Sequence, residues 1–174
     1  MTREIPIVTR TLVVLCGTAG AGKSTFAQQH FASTQVVSSD TCRALICDGD
    51  RTQNVDPDIF DLFHLLIQKR LKLGRLTVAD STALYDFARR RLLDLAREAD
   101  YHTCLVVFNV PRAICLQRDR QRARHVGEAE ICAQDALLQE ALLHMPHEPW
   151  EQIHVLSEMP PEVRFLWQTS SQLR

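Results

Sequence analysis

The 174-residue sequence is poor in several features that would mark particular classes of protein. Its net charge of −1 excludes a global polycation, so any nucleic acid would have to bind a local basic patch. Aromatic residues make up only 6% of the chain, and the sequence marks no base-stacking platform. No apolar run reaches transmembrane length, and residues 1–10 lack the apolar stretch of a signal peptide, so no membrane partner is expected.

The cysteines and histidines show none of the spacings that bind zinc. The six cysteines include no C-x-x-C pair, and the seven histidines form no H-E-x-x-H motif. Most cysteines lie inside apolar runs, where a free thiol packs as a small hydrophobic side chain. The sequence therefore predicts reduced thiols in a cytoplasmic protein without a zinc site.

Short apolar segments alternate with helical patterns along the chain. Nearly continuous apolar strands followed by helices are typical of a parallel sheet covered on both faces. We therefore expect one α/β domain, a three-layer sandwich in which helices cover both faces of five parallel strands and ligands bind beyond the C-terminal ends of the strands. The predicted strands are residues 11–16, 35–38, 76–79, 104–108 and 153–156.

Prolines and capping residues indicate where several helices begin. Asp56 is predicted to cap a helix that has Pro57 in its first turn. Pro111 is predicted to open an arginine-rich helix that extends to about residue 125, and a further helix is expected from about 128 to 144. The proline pair at 160–161 is predicted to open a last helix.

The strongest motif follows the first predicted strand. Residues 17–24, which we call the P-loop, read GTAGAGKS and match G-x-x-x-x-G-K-[ST] at every fixed position. Glycines let successive backbone N–H groups point at a triphosphate, and the next helix adds its N-terminal amides. Lys23 would bridge the β- and γ-phosphates of ATP, and the Ser24 hydroxyl would bind Mg²⁺. With this motif, the expected three-layer α/β sandwich is a P-loop NTPase fold. The expected nucleotide-binding residues are Gly17, Thr18, Ala19, Gly20, Ala21, Gly22, Lys23, Ser24 and Thr25.

Two aspartates follow predicted strands and should project into the cleft that the P-loop borders. A carboxylate at Asp40 would orient an acceptor hydroxyl and take its proton as general base. Arg43, three residues on, would grip an anionic part of the acceptor. Asp80 would hold Mg²⁺ together with Ser24. The alternative is that each aspartate is a helix N-cap, with Asp40 also pairing with Arg43.

Arginines are concentrated after Pro111. Arg118, Arg122 and His125 would share one helical face, where like charges repel unless an anion meets them. We predict that residues 112–130 form a lid, and that Arg118 and Arg122 neutralise the transferring phosphate as catalytic groups beside Lys23. The alternatives are a solvated basic face and a stripe that binds the acceptor backbone.

Together these motifs resemble the 5′-kinase domain of bacterial polynucleotide kinase–phosphatase repair enzymes. The resemblance implies ATP and Mg²⁺ as cofactors, 5′ ends of DNA or RNA as substrate, and possible partner repair domains or proteins. It implies Asp40 as general base, Arg43 on the acceptor phosphate, and Arg118 and Arg122 on the donor phosphates. The segments that carry it are residues 17–26 (GTAGAGKSTF), 37–43 (VSSDTCR), 69–82 (KRLKLGRLTVADST), 106–111 (VVFNVP) and 115–122 (CLQRDRQR).

Some features depart from that family pattern. The family usually has asparagine where this chain has Ala83, and its third lid arginine falls at His125, with Arg124 adjacent. The phosphatase and ligase-associated modules of the larger relatives are not found in these 174 residues, which leaves a stand-alone kinase domain or part of a longer protein. Adenine contacts are assigned only to the loop from Ser157.

Three functions follow from these observations. A polynucleotide 5′-hydroxyl kinase fits Arg43 and the arginine stripe, because polynucleotides bring phosphates beyond the reacting sugar. The near-neutral charge favours a kinase of a small metabolite, nucleoside or antibiotic hydroxyl. A nucleotide-binding regulatory module is disfavoured by Asp40, since binding alone needs no base. A switch GTPase would normally carry N-K-x-D, which the sequence lacks, and a large AAA-type motor would need a longer chain.

Overall fold

The computed structural model describes residues 3–50, 54–123, 125–157 and 162–168. The strands are β1 (Arg3–Ile7), β2 (Thr11–Gly17), β3 (Val36–Ser38), β4 (Thr77–Asp80), β5 (His102–Phe108), β6 (Gln152–Leu156) and β7 (Val163–Trp167). The helices are α1 (Lys23–His30), α2 (Ser39–Cys47), α3 (Asp56–Lys72), α4 (Asp86–Glu98), α5 (Arg112–Arg120) and α6 (Glu128–His144). Two short 3-10 turns are Ser33–Gln35 and Met145–His147.

Five parallel strands form the main sheet in the order β3-β4-β2-β5-β6, which confirms the predicted α/β fold. The central strand β2 is buried along its whole length, as its uninterrupted apolar sequence requires. At the carboxyl end of β4, Asp80 is in register with Leu15 of β2 on one side and with Ser38 of β3 on the other. The carboxyl ends of these three strands therefore meet, and the loops that follow them share one cleft.

Hydrophobic clusters cover both faces of the sheet, because successive side chains of β2 point to opposite sides. Leu12 and Val14 pack into a cluster with residues of α3, α4 and α6. Val13 and Leu15 pack into the other cluster, with residues of α1, α5, β1 and β7. This two-sided burial gives the layered arrangement that the strand and helix alternation predicted.

The C-terminal segment differs from its prediction. Residues 163–167 form strand β7, which pairs in parallel with β1 as a separate two-stranded sheet, so the predicted last helix is wrong there. The segment buries Val163 and exposes Arg164, and Phe165 packs on Phe31 with ring centroids 4.7 Å apart. An alternating pattern of this kind suits a strand. The predicted opening at 160–161 lies outside the described residues.

No helix in the described ranges is long and apolar enough to cross a membrane. All six cysteines are free thiols. Burial raises the pKa of both Cys16 and Cys104 to about 12, so these two thiols are inert at neutral pH. Among the described residues, no three His, Cys, Asp or Glu side chains cluster as a metal-binding group.

Candidate active site

The P-loop lies tightly against the end of β5 and the start of α5. A Cβ atom at Gly20 would lie 2.6 Å from the carbonyl oxygen of Cys115, and one at Gly17 would lie 2.9 Å from that of Phe108. Both glycines also have positive φ angles, 82° at Gly20 and 151° at Gly17. Only glycine meets both conditions without strain, which explains the fixed glycine at position 17 and why this chain also has glycine at position 20, which the motif leaves variable.

Lys23 begins α1 and is buried beneath the P-loop. Its Nζ donates hydrogen bonds to the carbonyl oxygens of Gly17 at 2.8 Å and Thr18 at 3.0 Å. Burial lowers the pKa of Lys23, while the negative charge of Asp80 opposes that shift. The Thr18 hydroxyl is also buried and has no hydrogen-bond partner among the described residues. A buried ammonium group beside an unsatisfied hydroxyl and glycine amides fits a phosphate-bearing ligand.

Ser24 and Asp80 meet at the edge of the cleft. The Ser24 hydroxyl donates a 2.8 Å hydrogen bond to Oδ2 of Asp80. Burial raises the pKa of Asp80, and the charge of Asp40 adds to this, whereas the Ser24 hydrogen bond and the Lys23 charge oppose it. Asp80 ends β4 and the next helix begins only at Asp86, so the alternative of a helix N-cap is wrong. A hydroxyl beside a carboxylate is a donor set that fits Mg²⁺.

Asp40 lies in the first turn of α2, directly after β3. The cap of this helix is Ser38, whose side chain accepts the backbone N–H of Thr41 at 3.4 Å. The alternative interpretation of Asp40 as the N-cap is therefore wrong. The influence of Asp40 on the pKa of Asp80 indicates that the two carboxylates are close in space.

Arg43 reaches from α2 to the beginning of α3, where its Nη2 forms an ion pair with Asp56. Its Nη1 also donates a 3.4 Å hydrogen bond to the carbonyl oxygen of Asp50. Asp56 is the first residue of α3, and Val55 occupies the cap position, so the predicted capping role of Asp56 is wrong. The ion pair explains why the prediction failed, because the Asp56 carboxylate binds the Arg43 guanidinium and accepts no backbone N–H group of the described residues at the start of α3.

One cleft of about 210 Å³ holds most of the predicted site residues. A larger cleft, of about 670 Å³, lies between α4 and residues 147–151 and contains none of them. The smaller cleft is the better candidate, because chemically distinct groups from three strand ends converge there. Its predicted members are Ala19, Gly20, Gly22, Lys23, Ser24, Thr25, Asp40, Arg43, Asp80 and Arg122.

The described arginines of the segment after Pro111 have different surroundings, and only some of them lie near the cleft. Arg112 approaches Asp135 at 3.9 Å and Arg120 approaches Glu128 at 3.7 Å. Arg118 donates to the carbonyl oxygen of Gly20 at 3.3 Å, so it braces the P-loop and does not line the cleft. Arg122 lines the cleft itself.

The predicted helical face of Arg118, Arg122 and His125 is wrong, because α5 ends at Arg120. The buried Asp119 carboxylate explains this: it accepts the backbone N–H groups of Val126 at 2.9 Å and Gly127 at 3.1 Å, which folds the chain back. Burial would raise the pKa of Asp119, but these two hydrogen bonds and nearby positive charges hold it below its usual value. The sequence signal was the lone acid in an arginine-rich segment.

Gln134, on α6, is a further site residue, and no sequence motif marks it. Its Oε1 accepts the backbone N–H of Ala19 at 2.8 Å, and its Nε2 donates to Glu130 at 2.8 Å. Gln134 also lines the cleft. The neighbouring predictions for Arg124 and for the loop beyond Ser157 lie outside the described residues.

Ala83 occupies a strained position beside the cleft. Its φ angle is 47°, in the left-handed region where asparagine is tolerated better than alanine. Its carbonyl oxygen accepts from Nη1 of Arg89 at 2.9 Å, and Arg89 is itself buried in an ion pair with Glu148. This network holds the chain after Thr82, whose carbonyl oxygen accepts the N–H of Gly17 at 3.0 Å.

The family model described as an AAA domain, AAA_33, matches residues 12–141. The chain belongs to this family. The match extends from β2 into α6 and so contains every residue of the cleft described above. No curated protein matches the chain.

Solved structures share this AAA_33 fold at low sequence identity. A chain of the Pnkp1/Rnl/Hen1 RNA repair complex matches with a TM-score of 0.68 and 19% identity, over 79% of this chain and 46% of that one. The present chain therefore spans less than half of that relative. A putative kinase from Chloroflexus aurantiacus J-10-fl matches with a TM-score of 0.63 and 17% identity, over 88% of each chain.

A small-molecule kinase has the same fold. The APS kinase CysC of Mycobacterium tuberculosis, solved with AMPPNP and APS, matches with a TM-score of 0.51 and 13% identity, over 96% of this chain and 95% of that one. Together with the family match, these neighbours establish that the chain has the P-loop α/β fold that these kinases also have.

Proposed function

We propose that this AAA_33 domain transfers the γ-phosphate of ATP to the 5′-hydroxyl end of a polynucleotide. The observation that carries the proposal is the convergence of Asp40 and Arg43 with Lys23 and Arg122 in one cleft. A nucleotide-binding module needs the phosphate-binding groups only. A carboxylate and an arginine on a separate helix, α2, are what a hydroxyl acceptor with its own phosphate requires.

The P-loop binds the donor phosphates in this account. Lys23 leaves the carbonyl oxygens of Gly17 and Thr18 and pairs with the β- and γ-phosphates as a point charge. Arg122 approaches the γ-phosphate from the lid, which comprises residues 112–130, and Arg118 keeps Gly20 in place. Negative charge that develops on the transferring group is thereby neutralised from two sides.

Ser24 and Asp80 are the residues that would hold Mg²⁺. A divalent ion held there would supply positive charge that offsets the negative charge of the donor phosphates. Few protein ligands are expected, because Mg²⁺ usually keeps several waters and shares its coordination with substrate phosphates.

Asp40 acts as the general base. It accepts the proton of the attacking hydroxyl while the hydroxyl oxygen bonds to the γ-phosphorus. The bond between that phosphorus and the β–γ bridging oxygen breaks, and ADP leaves. The products are a 5′-phosphorylated end, ADP and the proton on Asp40.

Arg43 selects the acceptor. Its guanidinium is held at the cleft wall by Asp56, so it is oriented before the acceptor arrives. A polynucleotide has a phosphate one nucleoside away from its reacting 5′-hydroxyl, which a planar guanidinium binds well. The fold shared with a chain of an RNA repair complex supports this acceptor class.

A small-molecule hydroxyl is the second candidate acceptor. The specific observation in its favour is the fold shared over nearly the whole chain with a kinase solved with APS. The net charge of −1 is also compatible with a small acceptor. In that case Arg43 would bind an anionic group of the metabolite.

An acceptor competition decides between the two. Purified protein is incubated with γ-labelled ATP, Mg²⁺ and a single-stranded oligonucleotide with a 5′-hydroxyl end, with or without an excess of pooled nucleosides and adenosine 5′-phosphosulfate. Label on the oligonucleotide that the pool does not suppress supports the proposal. Label on a pool member alone, with none on the strand, contradicts it and favours the small-molecule kinase.

A further inference from the structure

Two exposed aromatic side chains stack on each other at the start of α4. The rings of Tyr85 and Phe87 have centroids 5.2 Å apart and an interplanar angle of 19°. Tyr85 is 52% exposed and Phe87 is 67% exposed. Single exposed apolar residues are ordinary on protein surfaces, but a parallel pair of exposed rings is a flat surface on which a further ring can stack.

The chain path places this pair close to the candidate active site. Thr82 lines the cleft, and Tyr85 follows it by only three residues, which span at most about 11 Å. The intervening Ala83 and Leu84 are buried, so they anchor the segment to the core. The backbone that carries the exposed rings is therefore held in place beside the cleft by these two buried side chains.

A second route connects the same surface to the cleft through α3. Phe60 lines the cleft, and its ring lies 6.1 Å from that of His64, one helical turn along α3. Helix α4, which carries Arg91, packs against α3. Burial lowers the pKa of His64 and the charge of Arg91 lowers it further, while the charge of Asp61 opposes the shift. Arg91 in turn lies one helical turn from Phe87.

The resulting surface is made of aromatic rings with one arginine among them. From the cleft outward it comprises Phe60, His64, Arg91, Phe87 and Tyr85, and we call it the aromatic platform. An apolar protein partner would require a contiguous hydrophobic patch, and the arginine and the polar histidine ring interrupt this one. Exposed aromatic faces beside an arginine are instead features that bind single-stranded nucleic acid, whose bases stack while a phosphate pairs with the guanidinium.

We propose that the aromatic platform stacks the bases of a single-stranded segment that follows the 5′-hydroxyl end held at Asp40 and Arg43. This inference rests on the proposed function and adds a second acceptor-binding region to it. Apart from Phe60, which also lines the cleft, the platform residues lie outside the cleft that holds the reacting hydroxyl. Its effect should grow with the number of nucleotides in the acceptor, which distinguishes it from the cleft residues.

The test compares a short and a long acceptor. The measured quantity is kcat/KM for a 5′-hydroxyl decanucleotide divided by kcat/KM for a nucleoside 3′-monophosphate. We expect Phe87→Ala to lower this ratio about tenfold, the scale expected when one base loses its stacking partner. Phe87→Trp should retain the ratio and Phe87→Leu should not, because stacking needs a planar ring.

Trp167→Ala is the matched control. Trp167 is 60% exposed and lies on β7, in the separate two-stranded sheet. Its removal deletes an exposed aromatic ring without touching the platform, and the ratio should not change. An unchanged ratio in both Phe87→Ala and the double variant Tyr85→Ala/Phe87→Ala would overturn the platform. Equal losses for both acceptors would also overturn it, since they would indicate a structural defect.

Equilibrium binding separates this inference from the proposed function. Fluorescence anisotropy of a 3′-labelled decanucleotide, without ATP, reports strand binding alone. Strand binding that Phe87→Ala weakens about tenfold, in a protein that phosphorylates no strand, would support the platform and contradict the kinase proposal. A wild-type protein that neither binds nor phosphorylates the strand would overturn both.

Discussion

The Ser24 hydroxyl donates a 2.8 Å hydrogen bond to Oδ2 of Asp80, although 56 positions separate the two residues in sequence. The contact arises because β2 and β4 are neighbours in the sheet, with Leu15 of β2 in register with Asp80. The hydroxyl of Ser24 in the P-loop therefore lies beside the Asp80 carboxylate, at the end of the neighbouring strand β4. Both residues are where the proposed Mg²⁺ site needs them, and this pair leads to the first prediction.

Asp80→Asn should stabilise the protein while it abolishes Mg²⁺-dependent activity. Burial raises the pKa of Asp80, so the ionised carboxylate is less favourable in the folded protein than in the unfolded chain. Folding therefore loses stability as pH rises through the unfolded and then the folded pKa of this group. Asparagine keeps an acceptor for Ser24 without the charge.

Urea unfolding at pH 4 and pH 8 without Mg²⁺ checks this. We expect the variant to gain more free energy of unfolding at pH 8 than at pH 4, because protonation of the wild-type carboxyl at lower pH removes the cost of burying its charge. Asp86→Asn, at an exposed position, is the control and should show no such difference. A variant less stable than wild type at pH 8 would show that the ionised Asp80 carboxylate stabilises the folded protein, which would contradict the prediction.

Arg43→Ala should impair use of the acceptor more than use of ATP. A charge-assisted hydrogen bond to the acceptor phosphate contributes about 1.5–3 kcal/mol, so KM for the oligonucleotide should rise roughly 10- to 100-fold. KM for ATP should change little, since Arg43 lies on α2 and not in the P-loop. Initial-rate kinetics with each substrate varied in turn measure both constants.

Asp56→Ala is the companion variant. It removes the ion pair that orients Arg43 but leaves the guanidinium in place. We expect a smaller rise in KM for the acceptor than in Arg43→Ala. A proportionate rise in both Michaelis constants for Arg43→Ala would argue against an acceptor role.

Much of the fold was predictable from sequence because its signals are local. All five strands of the main sheet were placed correctly, since a strand buried on both faces is apolar throughout. Helix α6 was also placed correctly, at Glu128–His144. The P-loop could be found because its glycines, lysine and serine are fixed by local backbone chemistry.

The errors came from contacts between residues distant in sequence. Asp56 was predicted to cap a helix, but its carboxylate forms an ion pair with Arg43. Arg122 and His125 were assigned to a helix that ends earlier, because Asp119 binds backbone amides beyond them. Gln134 carries no motif at all, and only its contact with Ala19 places it at the site.

Asp119→Asn should loosen the lid. The Asp119 carboxylate accepts two partly buried backbone N–H groups, and an amide offers one acceptor oxygen in place of two. Loss of one such hydrogen bond costs about 0.5–1.5 kcal/mol, so the free energy of unfolding should fall by that order and KM for ATP should rise. Wild-type Asp119 has a lowered pKa, so its contribution is present above its unfolded pKa and is lost as pH falls through the folded one.

Hydrogen exchange locates this effect. The amides of Val126 and Gly127 should exchange faster in Asp119→Asn, while those of the central strand β2 keep their protection. Faster exchange throughout the sheet would mean that Asp119 supports the whole fold and not the lid alone.

Ala83→Gly should raise the free energy of unfolding by up to about 1 kcal/mol. A φ of 47° is strained for alanine and unstrained for glycine, so the substitution should stabilise the folded state. The greater conformational freedom of glycine in the unfolded chain offsets part of that gain. Ala88→Gly, inside α4, is the control and should lower stability by about 1 kcal/mol. A loss at Ala83 as large as at Ala88 would show that the Ala83 methyl group contributes packing that outweighs its strain.

The role of Asp40 is the central claim, and phosphate transfer from γ-labelled ATP tests it most directly. Wild-type protein and Asp40→Ala are compared with Mg²⁺ and a 5′-hydroxyl oligonucleotide, beside the same strand carrying a 5′-phosphate, while calorimetry measures ATP affinity. The account predicts label on the 5′-hydroxyl strand alone, a rate about 10²- to 10⁴-fold lower in Asp40→Ala, and nearly unchanged ATP affinity. Undiminished transfer by Asp40→Ala, or collapse of its ATP affinity, would contradict the assignment of Asp40 as the base.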